Sequence, residues 1–172
     1  FQDSTGNGIG DINGITRRLD YLQWLGVSAI WLTPIYSSPQ IDNGYDVADY
    51  YDIDPLFGTM EDFDNLIAAA HERQIKVVMD MVFNHTSTQH AWFKSAAGDR
   101  LSPWRDFYIW RDGKGALPPN NWHSKFGGSA WQWHEESEQY YLHSFSPEQA
   151  DLNWENPDVR NALKAVCHFW AD

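Results

Sequence analysis

The stretch Lys76-Val77-Val78-Met79-Asp80-Met81-Val82-Phe83-Asn84-His85 decides how the rest of the chain is read. Its apolar run, Lys76 to Val82, has the length and β-branched content of a buried strand, and it passes into Asn84-His85 with no turn residue between. Such a strand presents polar side chains at its C-terminal edge, where parallel α/β architectures carry their chemistry.

Upstream, Asp11 can cap a helix whose apolar positions Ile12, Ile15, Leu19, Leu22 and Leu25 recur at helical spacing until Gly26. Val27 to Leu32, stopped by Thr33-Pro34, then predicts a fully buried parallel strand. Thr59, with Asp62 three residues on, opens a second helix with Phe63, Leu66, Ile67 and Ala70 on its inner face. Downstream, Asn156-Pro157 caps a last helix that carries Val159, Leu163, Val166 and Phe169 inward. This α, β, α, β order implies a parallel sheet with right-handed crossovers, either an α/β barrel or an open doubly wound sheet.

Asn84 to Glu155 is far longer than a βα loop needs, so it is expected to form a small subdomain. Its rings include Trp92, Trp104, Trp110, Trp122, Trp131, Trp133, Trp154, Tyr108, Tyr140, Tyr141 and Phe145. Most of them read as the core of a sheet-poor insert, and a minority as a wall on which sugars stack.

The 172 residues are 42% hydrophobic, enough for a substantial core, and the net charge of -12 excludes a nucleic-acid partner, whose phosphates need a basic face. No apolar run is long enough to span a membrane, and the single Cys167 allows no internal disulfide, which suits a reducing compartment; a cytoplasmic location is expected. Because the first residue is Phe1, the native N-terminus is expected to lie upstream. One segment reverses the overall sign: Lys94, Arg100, Arg105, Arg111, Lys114 and Lys125 outnumber Asp99, Asp106 and Asp112, leaving +3 between Lys94 and Lys125. A solvated basic loop accounts for this, and so does recognition of a phosphorylated ligand.

The loop after the first strand holds Asp42-Asn43-Gly44-Tyr45-Asp46, where Gly44 allows a tight backbone and Tyr45 sets a flat ring beside a carboxylate. That pairing suits a pyranose, although a loop aspartate can equally cap a turn and a loop tyrosine can simply pack. In Asp3-Ser4-Thr5-Gly6-Asn7-Gly8-Ile9-Gly10-Asp11, alternate oxygens precede a glycine, so Asp3, Thr5, Asn7, Ile9 and Asp11 form a candidate structural calcium loop; the other reading is a glycine-rich turn with an aspartate cap. No cofactor is otherwise required, and the histidines lack zinc-site spacing.

Phe1-Gln2-Asp3, Trp31-Leu32-Thr33-Pro34, Asp42 to Asp46, Phe57-Gly58-Thr59, Asp80 to Thr86 and Gln149-Ala150-Asp151-Leu152-Asn153-Trp154 together resemble the α-amylase family of glycoside hydrolases, over essentially the whole chain. Within it the chain is similar to the oligo-1,6-glucosidase branch. The stretch Asn120-Asn121-Trp122 with Ser124 to Trp131, and Lys125 and Ala150 in particular, resembles the subgroup that acts on trehalose 6-phosphate.

The resemblance implies the N-terminal part of a (β/α)8 TIM barrel with a subdomain inserted after its third strand. Residues 1–83 would then be the partial barrel, 84–155 the inserted subdomain and 156–172 the third barrel helix. It implies substrate contacts from Asp42 to the non-reducing-end hydroxyls, Tyr45 stacked under the ring and His85 to the primary hydroxyl. Phe145 and Gln149 would border the pocket mouth, and Asp80 and Asn84 would be scaffold. Lys125 is the candidate for a 6-phosphate.

The reaction implied is retaining hydrolysis of a disaccharide or phosphorylated disaccharide, giving glucose and glucose 6-phosphate from trehalose 6-phosphate. The aspartate nucleophile and glutamate acid/base are expected beyond Asp172, so this chain would hold no catalytic residue, be inactive alone and fold poorly by itself. Sister activities on isomaltose-like sugars, or glucosyl transfer, share the same motifs. A reading of another class is a non-catalytic amylase-like interaction domain.

Overall fold

The computed structural model describes residues 1–171, so Asp172, the last residue of the expected 156–172 helix segment, lies outside the described residues. The helices are α1 (Ile12–Thr16), α2 (Leu19–Trp24), α3 (Met60–Glu72), α4 (Ala91–Gly98) and α5 (Pro157–Ala171), with a 3-10 turn at Arg105–Phe107. The strands are β1 (Ala29–Leu32), β2 (Tyr36–Ser37), β3 (Asp49–Ile53), β4 (Lys76–Met79), β5 (His85–Ser87), β6 (Trp110–Arg111), β7 (Trp131–His134), β8 (Gln139–Leu142) and β9 (Gln149–Asp151). Two compact units form: Phe1–Ser37 with Asp52–Met81, and Ser38–Tyr51 with the chain from Val82 onward.

In the first unit β1 and β4 pair in parallel, Ala29 opposite Lys76 and Leu32 opposite Met79, as their apolar runs imply. Both are shorter than expected, β1 starting at Ala29 and β4 ending at Met79. Neither is fully buried, and Trp31 is 58% exposed. The cause is the sheet itself, which has two strands here where a closed barrel has eight, so its outer edges and part of its faces are uncovered.

The Asp11 cap is real, its side chain accepting from Gly14 N at 2.6 Å, but the single expected helix is two. Arg18 N bonds Ile15 O, an i−3 contact that tightens the turn, and the helical ladder restarts with Leu22 N on Arg18 O. Gly14 is required, because a Cβ there would lie 1.8 Å from Gln2 O. Helix α3 opens with a full capping box, Thr59 accepting from Asp62 N and the Asp62 carboxylate from Thr59 N. Asn13 Nδ2 donates to the other oxygen of Asp62 at 2.8 Å, tying α1 to α3. Ile12, Leu19, Phe63, Leu66, Ala70 and Ile75 are the buried centre of this unit.

The second unit carries more sheet than its aromatic-rich sequence suggests. β6, β8 and β7 form a three-stranded antiparallel sheet, and β5 pairs antiparallel with β9. Phe93 of α4 meets Tyr108, Tyr141 and Trp110 with ring centroids 5.1, 5.0 and 5.7 Å apart, which makes these rings the mini-core that most of the aromatics were expected to supply. Helix α5 buries Val159, Leu163 and Val166. Phe169 does not join them; it is 46% exposed and meets Tyr51 edge-on at 5.1 Å. With Trp170 Nε1 donating to Tyr50 O at 2.7 Å, α5 belongs to the same unit as Ser38–Tyr51.

Candidate functional site

Asp46, fully buried, organises the loop that carries Asp42. Its Oδ1 accepts from Ser38 Oγ at 3.1 Å and from Asp42 N at 2.9 Å, and its Oδ2 accepts from Ile41 N at 3.0 Å. Asn43 and Gly44 turn the chain through φ +52° and +94°, and Tyr45 N closes the turn on Asp42 O at 2.9 Å. Three charge-assisted bonds to one buried carboxylate fix where Asp42 and Tyr45 stand.

The opposite wall is the β5–β9 ladder. His85 lies across from Asp151 and Ser87 across from Gln149, so these four side chains share one face of the ladder, while Thr86 and Ala150 take the other. Gln149 is 0% exposed; its Nε2 donates to Asp42 Oδ2 at 2.8 Å and its Oε1 accepts from Ser146 N at 3.0 Å. It is the buried tether of the Asp42 carboxylate. Asp42 itself is half-buried, and among the described residues its Oδ1 accepts no hydrogen bond, leaving one oxygen for a ligand hydroxyl.

His85 is buried, with Nε2 3.0 Å from Tyr45 O and Nδ1 3.2 Å from Asn84 Nδ2. This partner pattern assigns a neutral ring that donates through Nε2 and accepts at Nδ1. Burial lowers its pKa, outweighing the Tyr45 carbonyl and the charges of Asp151, Asp42 and Asp46 that favour the cation. The expected donation to a sugar hydroxyl therefore means sharing the Nε2 proton with that carbonyl. The link between His85 and Tyr45 runs through the tyrosine main chain. Phe145 stands edge-on to His85 at 5.4 Å and to Phe126 at 5.6 Å.

Asn84 fits its expected scaffold role, donating to Asp151 Oδ1 at 3.0 Å. Asp151, which the sequence reading passed over, also accepts from Ser144 N at 2.8 Å and from Ser144 Oγ. Its position in the Gln149-Ala150-Asp151 run opposite His85 was the available signal. The oxygens of Asp46 and Asp151 are thus committed to protein donors, and neither is placed to act as an acid, base or nucleophile.

Lys125 lies on an exposed turn fastened to the Phe145 segment: Ser124 Oγ donates to Phe145 O at 2.6 Å, and Lys125 N to Ser144 O at 2.8 Å. Its ammonium makes no ion pair among the described residues. The sites of Asp42, Tyr45, His85, Phe145, Gln149 and Lys125 are thus connected within one unit, by side-chain and main-chain bonds together.

The Asp3–Asp11 loop lies in the other unit. Asp3 Oδ1 accepts from Thr5 N, Gly6 N and Thr5 Oγ1, and Oδ2 from Gly8 N, and the Gly8 and Gly6 N–H groups lead in holding its pKa down to about 2. Asn7 Oδ1 accepts from Ile9 N. At Asp11 burial raises the pKa, but the Ser4 and Gly14 donors outweigh it and the net shift is downward. Among the described residues these side-chain oxygens accept N–H and O–H donors, the pattern of a hydrogen-bonded turn with an aspartate cap.

A carboxylate with one open oxygen, a buried amide and imidazole behind it and aromatic edges alongside form a set suited to a polyhydroxylated ring. The chain belongs to the α-amylase family: the family model "Alpha amylase, catalytic domain" matches residues 1–172. Its fold is accordingly the N-terminal part of a TIM barrel with an inserted subdomain. Over 172 residues it is 67% identical to the trehalose-6-phosphate hydrolase of Escherichia coli (strain K12), and over 173 it is 54% identical to the oligo-1,6-glucosidase of Heyndrickxia coagulans. Each match covers 100% of this chain but only 31% of the relative, so the chain spans about a third of the length of these curated relatives. The crystal structure of Bacillus licheniformis trehalose-6-phosphate hydrolase superimposes with a TM-score of 0.96 at 59% identity, covering 99% of this chain and 31% of that one. Among the described residues no helix is long and apolar enough to cross a membrane.

Proposed function

We propose that the full-length protein containing this chain is a retaining α-glucosidase that hydrolyses trehalose 6-phosphate to glucose and glucose 6-phosphate. This chain contributes the wall that holds the glucose to be transferred, and the carboxylates that break the bond come from elsewhere in the protein. A cytoplasmic location suits a phosphorylated sugar and a chain with one free cysteine, Cys167.

The observation that carries the reading is the Asp42 carboxylate, tethered on one oxygen by Gln149 and open on the other. An ionised acceptor at a fixed place binds the hydroxyls at one end of a sugar and favours an exo-acting pocket. Tyr45, on the same turn, offers a ring face to a sugar that gains positive charge in the transition state. His85 and Phe145 complete that side of the pocket.

The choice of a phosphorylated substrate rests on the similarity to trehalose-6-phosphate hydrolases and on Lys125, whose backbone is fastened beside the Phe145 segment and whose ammonium makes no ion pair among the described residues. In the full-length protein, Lys125→Ala is expected to lower kcat/KM for trehalose 6-phosphate at least tenfold more than for trehalose. Equal losses on both sugars would remove Lys125 from phosphate recognition. Preference for isomaltose over trehalose 6-phosphate in the unaltered protein would place the activity with the oligo-1,6-glucosidases instead.

A further inference from the structure

A cleft of about 800 Å³ in the second unit is lined by Arg100, Arg105, Arg111, Trp122 and Trp154 among others, and by none of Asp42, Tyr45, His85, Phe145, Gln149 or Lys125. Among the described residues its arginines make no ion pair with a carboxylate. Among the described residues the only ion pairs belong to Arg73, with Asp20 and Glu72.

Arg105 is the most telling. It is 9% exposed, its guanidinium lies 3.7 Å over the Trp110 ring, and it spends Nη1 on Ala96 O at 2.6 Å and Nη2 on Gln139 Oε1. Arg100 uses Nε and Nη2 on Ser137 O, and it is close enough to Arg105 for the two charges to oppose each other. Burying an arginine without an ion-pair partner is costly, and holding a second one beside it adds to that cost. Asp106 and Glu155 also line the cleft; neither comes within ion-pair distance of an arginine, although the Asp106 charge is near enough to offset part of the strain on Arg105. Each guanidinium has five N–H donors in a planar fork that matches an oxyanion, and part of each fork remains unspent.

Beside the arginines, Trp122 stacks on Trp131 with centroids 6.1 Å apart and planes 22° from parallel, yet Trp122 stays 57% exposed. An indole supported from behind and open in front is a platform for the C–H face of a sugar. We propose that this cleft is a binding site for a sugar monophosphate, with Arg100 and Arg105 taking the phosphate and Trp122 the sugar ring. The inference stands apart from the proposed activity: it concerns binding at residues which that activity does not use.

The test titrates the full-length protein with glucose 6-phosphate, inorganic phosphate and glucose while following tryptophan fluorescence and heat, in the wild type and in Arg100→Gln, Arg111→Gln and Trp122→Ala. All three changes are at exposed positions, so the fold should survive them. Wild type is expected to bind glucose 6-phosphate more tightly than either phosphate or glucose. Arg100→Gln should weaken glucose 6-phosphate and phosphate alike by tenfold or more, and Arg111→Gln should weaken both by a smaller factor. Trp122→Ala should weaken glucose 6-phosphate severalfold while leaving phosphate within twofold, and kcat for glycoside hydrolysis should stay within twofold throughout. No saturable binding by the wild type, or glucose 6-phosphate affinity within twofold of wild type in both arginine variants, would overturn the proposal. Equal weakening of phosphate and glucose 6-phosphate by Trp122→Ala would overturn the sugar platform.

Discussion

Gln149 Nε2 donates to Asp42 Oδ2 across 2.8 Å, joining two residues 107 positions apart in the chain. The amide is fully buried and the carboxylate only half so, which makes the glutamine the fixed point against which the carboxylate is held.

Removing that fixed point should affect both stability and binding. Gln149→Leu has similar bulk but leaves Ser146 N and the Asp42 carboxylate without their partner, and an orphaned buried polar group costs about 1–3 kcal/mol. Urea unfolding of the full-length variant should show a loss of that order, and KM should rise severalfold with Asp42 less well held. Stability and KM both unchanged would mean that the tether is incidental.

Asp46 should behave as a structural anchor. Its three donors are Ser38 Oγ, Ile41 N and Asp42 N, and Asp46→Asn replaces charge-assisted acceptance with a weaker amide that turns an N–H toward one of them. Hydrogen exchange over residues 38–46 of the full-length protein should quicken, and the variant should lose about 1–3 kcal/mol. Exchange at the wild-type rate would contradict the anchoring role.

Acid sensitivity should come partly from His90. Its Nδ1 accepts from Trp92 N at the start of α4, and burial holds its pKa down to about 4. A histidine whose folded pKa lies below the unfolded value of about 6.5 contributes its full stability above that value and loses it as pH falls toward 4. Between pH 7.5 and 5 the loss is about 2 kcal/mol. The downward shift at His85 acts in the same direction. His90→Asn keeps a side-chain cap but cannot titrate, so unfolding measured at both pH values should show a smaller difference than in the wild type. An equal difference in both proteins would remove His90 from the acid response.

The Asp3–Asp11 loop should be indifferent to calcium. Its carboxylates and the Asn7 carbonyl already accept from Thr5, Gly6, Gly8, Ile9, Ser4 and Gly14. Thermal unfolding of the full-length protein should be the same in calcium and in EDTA. A Tm lowered by several degrees in EDTA would show that the loop rearranges around a cation.

Much of this was legible because the signals are local. Asp11 caps the helix it was expected to cap, Thr59 and Asp62 close their box, and the apolar runs around Trp31 and Val78 pair in parallel. Asp42, Tyr45 and His85 each stand in a motif of a few residues, which is why they could be proposed from sequence. What stayed hidden depends on partners distant in sequence. Gln149-Ala150-Asp151 is a three-residue strand with no alternation to read, and it exists because His85-Thr86-Ser87 lies beside it. For the same reason Asp46 and Asp151 looked like loop carboxylates, although they accept donors from several segments. The α1–α2 break was hidden differently, because the apolar spacing runs on through Arg17 and Arg18 while the backbone tightens there.

The most direct measurement is kcat/KM for trehalose 6-phosphate in the full-length protein carrying Asp42→Asn. That change keeps an acceptor of the same shape beside Gln149 and removes only the charge. A charge-assisted bond to a sugar hydroxyl contributes about 1.5–3 kcal/mol, so the variant should be down by roughly one to two orders of magnitude with its fold intact. A kcat/KM within twofold of wild type would contradict the placement of the sugar at Asp42.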